Sequence, residues 1–147
     1  MPTKRQVLGQ FGEMCVVKGC ACPKCKRSRT RKQLPPNFKC ADVICDFCGY
    51  LGQVKAATVR DIERVPDTLL GAALGPQKDR MASAIYFSLF LVLVAGRRHS
   101  IFYLSADLQT AKMFKPRTPL SKQAHRAGWQ GFIYNLRPVR GRFVRLK

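Results

Sequence analysis

Apolar positions near the N-terminus recur at the spacing of a helix. Between Lys4 and Val17 they are Val7, Leu8, Phe11, Met14 and Cys15. Intervals of three and four residues place such side chains on one face of a helix. We therefore predict an amphipathic helix over this segment.

The most apolar run extends from Ala84 to Gly96. It is well short of the roughly 20 residues that a membrane-spanning helix needs. The run therefore predicts a buried central strand over 85–94, and we expect no membrane partner. A turn at 96–99 and a second strand over 100–104 follow it.

Turn-forming residues divide the rest of the chain. Pro35 and Pro36 exclude regular helix from the basic segment before Cys40. The other predicted elements are a hairpin over 40–55 whose second strand is 50–55, a helix near 68–81 interrupted by Gly75 and Pro76, and a final strand over 142–146. Mixed elements in 147 residues, without a repeat or a linker, predict one α/β domain over 1–147.

Charge narrows the choice of partner. The chain has 27 Lys and Arg residues against 8 Asp and Glu residues, a net charge of +19. An excess of this size attracts polyanions, of which nucleic acid is the commonest; a ribosome-type structural protein and a membrane-surface binder are the alternatives. The N-terminus has no apolar segment typical of a secretory signal. We therefore expect a cytoplasmic protein with reduced cysteines.

Two CxxC pairs predict a zinc site. Cys22 and Cys25 form the first pair, Cys45 and Cys48 form the second, and residues 26–44 separate them. Two residues between cysteines let one turn aim both sulfurs at one ion, and two such turns complete the tetrahedron of a zinc ribbon. Because a four-thiolate site is closed, this Zn²⁺ is expected to stabilise the fold and to take no part in chemistry.

Three further cysteines leave alternatives open. Cys20 and Cys40 flank the two pairs and are substitute ligands. Cys15 lies on the apolar face of the predicted helix and is expected to be a core thiol. A redox-active CxxC pair is the competing interpretation of the motif.

Asp42, Gln53 and Lys55 follow a D-x10-Q-x-K spacing around the second CxxC pair. Alternation along a strand places Gln53 and Lys55 on one face. Asp42 and the Gln53 carbonyl are oxygen ligands of the kind that Mg²⁺ requires, while the Lys55 ammonium can orient a water or neutralise a phosphate. The competing interpretation is an Asp at a turn and a solvated Lys at a strand end.

The order of these motifs resembles a known family. A helix, a CPxC turn, A-D-x-x-C-x-x-C and an x-K strand, followed by PLSKQAHRAGWQG and GRFVRL near the C-terminus, are similar to the DpnI-like (Dam-replacing) methyl-directed restriction endonucleases. The resemblance extends from about Gln6 to Leu146. It implies a PD-(D/E)xK restriction-endonuclease-like fold, a mixed sheet flanked by helices with a zinc ribbon inserted at about 20–50.

The resemblance also implies roles for individual residues. Asp42 stands at the metal-binding Asp of the family and Lys55 at its catalytic Lys, with Mg²⁺ as the catalytic metal and Mn²⁺ as a substitute. Gln53 departs from the family pattern, because it occupies the place of an acidic ligand. Glu13 resembles the additional acid that some of these nucleases place beside the metal. The family's C-terminal winged-helix domain has no counterpart in this sequence.

Double-stranded DNA is the expected partner, bound by a monomer or a weak dimer. Trp129 lies in a glycine-flanked basic loop that the resemblance places on the DNA-facing side, where an aromatic ring can contact an adenine methyl group; a core Trp is the alternative. The expected phosphate or base contacts beside it are Lys122, His125 and Arg126, and those near the first CxxC pair are Lys24, Lys26 and Arg27, within the basic run 24–32.

The sequence thus predicts a metal-dependent DNA endonuclease, and the resemblance implies that it is directed to adenine-methylated DNA. Two other classes stay open. Gln53 is compatible with a catalytically inactive zinc-ribbon protein that binds DNA, and the basic zinc ribbon is compatible with an RNA-binding protein of the translation machinery.

Overall fold

A computed structural model describes residues 2–35, 41–73, 86–116 and 130–147. The single α-helix of these residues is α1 (Lys4–Gly19). The strands are β1 (Arg31–Gln33), β2 (Val43–Cys45), β3 (Leu51–Thr58), β4 (Thr68–Ala73), β5 (Ser88–Ala95), β6 (Arg98–Leu104), β7 (Phe114–Pro116), β8 (Gln130–Asn135) and β9 (Val144–Arg145). Short 3-10 helices span Ala106–Leu108, Ala111–Met113 and Arg137–Arg142.

The strands form two sheets. The larger is six-stranded, in the order β1-β2-β3-β5-β6-β9, and the smaller is three-stranded, in the order β4-β8-β7. The central strands β3 and β5 run parallel, from Gly52 opposite Ser88 to Thr58 opposite Val94. The other described pairings are antiparallel, so the larger sheet is mixed.

Helix α1 begins at a capping box. The Thr3 hydroxyl accepts the Gln6 backbone N–H, and the Gln6 side chain accepts the Thr3 N–H, which satisfies donors that a helix start leaves free. The helix then packs closely on β3, because Gly12 has no side chain: a Cβ there would lie 2.8 Å from the Ala56 Cβ. This close approach sets the distance between the residues of α1 and those of β3.

Strand β5 is buried on both faces. Phe90 and Val92 pack with Val16 and Val54 between the sheet and α1. On the opposite face the buried cluster contains Leu89, Leu91, Leu93, Leu104 and Tyr134. Burial on both sides explains why the apolar run is continuous and not alternating.

The predicted fold class is confirmed: the chain has a mixed α/β fold with a central mixed sheet, a packed helix and a cysteine cluster. Helix α1, the hairpin of β2 and β3, the strand pair β5–β6 and the final strand occur where they were predicted, within a few residues. None of the helices in the described residues is both long and apolar enough to cross a membrane.

Two predictions of local structure are wrong. Residues 68–73 form strand β4 and not a helix, because they pair with β8, with Leu69 opposite Tyr134; such pairing with distant residues overrides local propensity. The rest of the predicted helix, 74–81, lies outside the described residues. The turn after β5 is shorter than predicted, since Gly96 takes a positive φ of 61° and β6 already begins at Arg98.

Candidate active site and metal centre

The cysteines of both CxxC pairs meet in one cluster. The sulfurs of Cys22, Cys25, Cys45 and Cys48 all lie within 4.8 Å of one another. The Cys22–Cys48 and Cys25–Cys45 sulfur pairs are each separated by 3.7 Å. Four Zn–S bonds of about 2.3 Å in a tetrahedron place neighbouring sulfurs about 3.8 Å apart. The donor set and its spacing therefore fit Zn²⁺.

The surroundings of the cluster favour thiolate formation at one cysteine. Burial opposes ionisation of Cys45, but hydrogen bonds from the Thr30 hydroxyl and from backbone N–H groups lower its pKa to about 6. Burial and the neighbouring sulfurs raise the pKa of Cys48 to about 11. Without an ion the cluster therefore cannot be fully ionised near neutral pH, whereas a bound cation offsets the repulsion among thiolates.

The remaining cysteines lie elsewhere in the fold. The Cys20 thiol is 3.6 Å from the Val16 carbonyl oxygen and accepts from Arg31 at 3.1 Å, so it is not part of the cluster. Cys15 packs beside the buried residues between α1 and the sheet, as expected of a core thiol. Cys40 lies outside the described residues.

Asp42 is fixed where β2 and β3 separate. It directly precedes β2, and its backbone N–H donates to the Gly52 carbonyl at 2.9 Å. Its side chain then continues the pairing, because Oδ2 accepts the Val54 N–H at 2.8 Å. The carboxylate is thus held beside β3, one residue before Lys55 along the strand.

Lys55 is half-buried and lies beside the Asp42 carboxylate. Burial lowers the pKa of Lys55, and the charges of Asp42 and Glu13 act in the opposite direction and raise it. Its ammonium nitrogen is 6.0 Å from the centre of the buried Tyr134 ring. Lys55 therefore places its amino group beside two carboxylates in a poorly solvated position.

Glu13 reaches Asp42 from α1. Burial raises the pKa of Glu13, the adjacent Asp42 raises it further, and a hydrogen bond from Gln33 lowers it. The Gln33 amide nitrogen is 3.1 Å from Glu13 Oε2. Two carboxylates at this proximity repel each other unless a proton or a cation lies between them. Their oxygens fit the ligand chemistry of a hard divalent cation.

A cavity of about 580 Å³ joins these groups. Its lining residues are Pro2, Gln6, Gly9, Gln10, Glu13, Asp42, Val54 and Lys55. A neighbouring cavity of about 470 Å³ shares Gln10, Glu13 and Asp42 with it. Three of the four predicted catalytic residues are therefore brought together. Gln53 is two residues before Lys55 on β3 but is not among the residues that line either of these two cavities.

The predicted phosphate contacts of the zinc ribbon lie at its surface. Lys24, Lys26 and Arg27 are exposed. The Arg27 guanidinium stacks 3.9 Å from the centre of the exposed Phe47 ring, and the Lys24 ammonium is 5.9 Å from the centre of the Tyr50 ring. Lys24 and Arg27 therefore lie beside aromatic rings near the cysteine cluster.

The far end of the basic run does not fit the predicted phosphate-binding role. Arg31 is 5% exposed and donates to backbone carbonyls of Val16 and Ala21, because the strand alternation of β1 turns it toward the core. Lys32 is exposed but forms an ion pair with Asp46 at 2.8 Å. The prediction that the whole run 24–32 grips the DNA backbone is wrong for Arg31.

The predicted DNA-reading loop cannot be placed. Lys122, His125, Arg126 and Trp129 lie outside the described residues. Their roles stay predictions from the sequence.

Residues that the sequence did not single out also belong to the site. Gln33 contacts Glu13, Gln6 and Gln10 line the cavity, and Tyr134 lies against Lys55. Gln33 falls in a segment that reads as a basic loop, and Tyr134 lies on β8 of the smaller sheet, which pairs with β4 and β7. No local sequence signal distinguishes them.

Comparison with known proteins decides the family. A family model described as DpnI, the Dam-replacing family, matches residues 3–143. The chain belongs to the Dam-replacing family. This membership supports a DNA endonuclease of the restriction type, with DNA as the implied partner. No curated protein gives a significant match.

Among solved structures, the Holliday junction resolvase Hjc of Archaeoglobus fulgidus is similar to this chain. The alignment covers 79% of this chain and 83% of the resolvase, with 9% sequence identity and a TM-score of 0.34. A similarity this low decides neither the function nor the details of the site.

Proposed function

We propose that the protein is a divalent-metal-dependent endonuclease that hydrolyses phosphodiester bonds of adenine-methylated double-stranded DNA. The observation that carries this proposal is the meeting of Asp42, Glu13 and Lys55 at one cavity. An acid before β2, an acid on α1 and a lysine on β3 come from three different parts of the fold. Their convergence in a member of the Dam-replacing family supports a nuclease site.

Asp42 and Glu13 would hold the divalent cation, Mg²⁺ or in its place Mn²⁺, and Gln53 is assigned as a neutral oxygen ligand from β3. The fit is supported by the adjacent carboxylates, whose mutual repulsion a cation removes. When bound, the metal supplies Lewis-acid polarisation of the scissile phosphate and activation of water. Since Gln53 carries no charge, Glu13 contributes the second negative charge.

Lys55 acts on the phosphate. Its ammonium lies within the electrostatic reach of both carboxylates and lines the same cavity. There it neutralises negative charge on the phosphate oxygens as this charge grows in the transition state. Because Lys55 is half-buried, this interaction is screened less by water than a surface contact.

DNA would be held by the positive surface of the chain. Lys24, Lys26 and Arg27 on the zinc ribbon are assigned to phosphate contacts. Lys122, His125, Arg126 and Trp129 are assigned to DNA reading from the sequence alone. The zinc ribbon, at about 20–50 in a single nuclease domain, supports the site, since β2 connects Asp42 directly to Cys45.

A second candidate function is a DNA-binding protein without nuclease activity. The neutral Gln53 favours it, because one acidic ligand of the family pattern is missing. This candidate predicts tight, salt-sensitive DNA binding in EDTA and no strand breaks with any divalent ion.

The test is cleavage of two preparations of one plasmid, one adenine-methylated and one unmethylated, by the zinc-loaded protein with Mg²⁺ or Mn²⁺. Discrete fragments from the methylated plasmid alone support the whole proposal. Cleavage of both preparations keeps the endonuclease and removes the methyl reading. Binding without any cleavage overturns the endonuclease in favour of the second candidate.

A further inference from the structure

Strand β1 is attached to helix α1 at two points. The Arg31 guanidinium donates to the Val16 carbonyl at 2.7 Å and to the Ala21 carbonyl at 2.6 Å, at the end of the helix where carbonyl groups lack helical partners. Two residues later, Gln33 donates to Glu13 at 3.1 Å. The strand thus contacts the last turns of α1 and also Glu13, the candidate metal ligand on that helix.

Strand geometry explains why these two residues act together. Successive side chains of a strand point to opposite faces, so Arg31 and Gln33 lie toward α1 while Lys32 lies away from it and pairs with Asp46. Arg31 is buried and 5.6 Å from the centre of the Phe90 ring. This buried anchor fixes the position of Gln33 relative to the helix.

The same strand is tied to the other half of the site. Gln33 is opposite Val43 and Arg31 is opposite Cys45 in the β1–β2 pairing. In addition, the Leu34 N–H donates to the Asp42 carbonyl at 2.9 Å. The Gln33–Glu13 hydrogen bond and the pairing of β1 with β2 therefore bring Glu13, Gln33 and Asp42 together around the cavity of about 470 Å³, which all three residues line.

The contact between Gln33 and Glu13 opposes an electrostatic force. Glu13 faces a like charge on Asp42, and a carboxylate on a flexible three-carbon side chain can rotate away from such a charge into solvent. The Gln33 amide N–H satisfies one oxygen of Glu13 and restricts this rotation. A neutral donor does so without adding a cation that would compete with a metal.

We propose that Gln33 is a positioning residue that holds the Glu13 carboxylate beside Asp42, so that both acids face one divalent cation. This inference rests on the proposed function, because it takes Glu13 and Asp42 as the metal ligands. Outer hydrogen-bond partners of metal ligands typically change metal affinity by about 10- to 100-fold. Gln33 is exposed, so the lower end of this range applies.

The test measures Mn²⁺ binding to the zinc-loaded protein. Electron paramagnetic resonance detects the Mn²⁺ that stays free. The variants are Gln33→Ala and Gln33→Met, of which the second keeps the side-chain length and removes the amide. The matched control is Gln109→Ala, which deletes a hydrogen-bonding glutamine at the Phe87 carbonyl, away from the cavities. We expect about tenfold weaker Mn²⁺ binding for both Gln33 variants and parental binding for the control.

Two further variants, Glu13→Ala alone and Glu13→Ala combined with Gln33→Met, show whether Gln33 acts through Glu13. If it does, Gln33→Met has no further effect on Mn²⁺ affinity when Glu13 is already replaced by Ala, because a double-mutant cycle isolates the coupling of two residues. Cleavage assays are expected to show a raised half-saturating Mn²⁺ concentration with little change in the rate at saturating Mn²⁺.

Two results overturn the positioning role. One is parental Mn²⁺ affinity of the Gln33 variants, and the other is an equal loss of affinity with and without Glu13. Asp42→Ala separates this failure from failure of the metal site itself. If Asp42→Ala also binds Mn²⁺ as the parent does, the proposed site is wrong; if it loses Mn²⁺ while the Gln33 variants do not, only the positioning role is wrong.

Discussion

The carboxylate of Asp42 accepts a hydrogen bond from the backbone N–H of Val54 at 2.8 Å. The last backbone hydrogen bond to β3 at this end of β2 runs from the Asp42 N–H to the Gly52 carbonyl. The Asp42 side chain then pairs with β3 in place of a further backbone carbonyl. Because a backbone N–H that extends beyond the end of the neighbouring strand β2 needs an acceptor, the fold itself requires an oxygen there. This hydrogen bond holds the Asp42 side chain beside Lys55 independently of any bound metal.

The close packing of α1 on β3 leads to a first prediction. A Cβ at Gly12 would lie 2.8 Å from the Ala56 Cβ, whereas a Cβ at Gly9 would meet nothing within 4 Å. Gly12→Ala is therefore expected to destabilise the protein by about 1–3 kcal/mol through overpacking. Gly9→Ala, the matched control, is expected to stabilise it by up to about 1 kcal/mol through helix propensity.

Urea unfolding of the zinc-loaded protein measures both changes. Because Glu13 follows Gly12, Gly12→Ala is also expected to weaken Mn²⁺ binding, while Gly9→Ala leaves the backbone of α1 in place. Equal stability of the two variants would show that the helix does not approach β3 as described.

The sequence predicted most of what depends on local pattern. Helical spacing located α1, the continuous apolar run located β5, and the CxxC pairs located the cysteine cluster. The strand spacing of Gln53 and Lys55 follows from alternation alone. Each of these signals lies within a short segment and reflects burial or ligand geometry that the segment imposes by itself.

Contacts between distant segments were not predictable in the same way. Residues 68–73 became a strand because β8 offers a partner some sixty positions later, and Gln33 joined the site because Arg31 anchors β1 on α1. Glu13 was assigned only through a family resemblance, since nothing in the helical pattern distinguishes it from a solvated acid. Such choices are made by tertiary packing, which a single sequence does not display.

The repulsion between Glu13 and Asp42 gives a prediction about stability. Burial and Asp42 raise the pKa of Glu13 above its ordinary value of 4.5, so the fold favours the protonated form. The contribution of Glu13 to stability is therefore present below about pH 4.5 and is lost as pH rises through the raised pKa. At neutral pH the ionised Glu13 destabilises the metal-free protein.

Glu13→Gln is accordingly expected to stabilise the metal-free, zinc-loaded protein at pH 7. The gain should be on the order of 0.5 kcal/mol, as for a partly exposed charge pair, and should vanish near pH 4. Adding Mn²⁺ should reverse the order, because only the parent retains both charged ligands. A variant that is less stable than the parent at pH 7 without Mn²⁺ would contradict this electrostatic account.

The cysteine cluster predicts bound zinc that the fold requires. Elemental analysis is expected to find one Zn²⁺ per chain. Cys48→Ser should lose the metal and unfold the ribbon, whereas Cys15→Ser, which changes a thiol outside the cluster, should retain it. Acidification is expected to release the zinc, because protons compete with the ion for sulfur. Retention of zinc by Cys48→Ser would exclude this ligand set.

The exposed cations of the zinc ribbon predict how DNA binding responds to salt. If about six to ten phosphates are contacted, affinity should fall by about 10³- to 10⁵-fold between 50 and 200 mM salt. Lys26→Ala and Arg27→Ala should each reduce the slope of log affinity against log salt by about 1. Arg145→Ala is the control, because Arg145 is paired with Glu63. An unchanged slope for both ribbon variants would move the DNA-binding surface elsewhere.

The most direct measurement of the central claim is plasmid cleavage by Asp42→Asn with Mg²⁺, with DNA binding measured in parallel. Asn keeps an oxygen that accepts the Val54 N–H, so the fold is retained while the charge is removed. We predict a loss of cleavage of at least about 10²-fold, with DNA affinity equal to or above that of the parent, and the same loss for Lys55→Met. Cleavage by Asp42→Asn at the parental rate would contradict this prediction and place the chemistry outside this cavity.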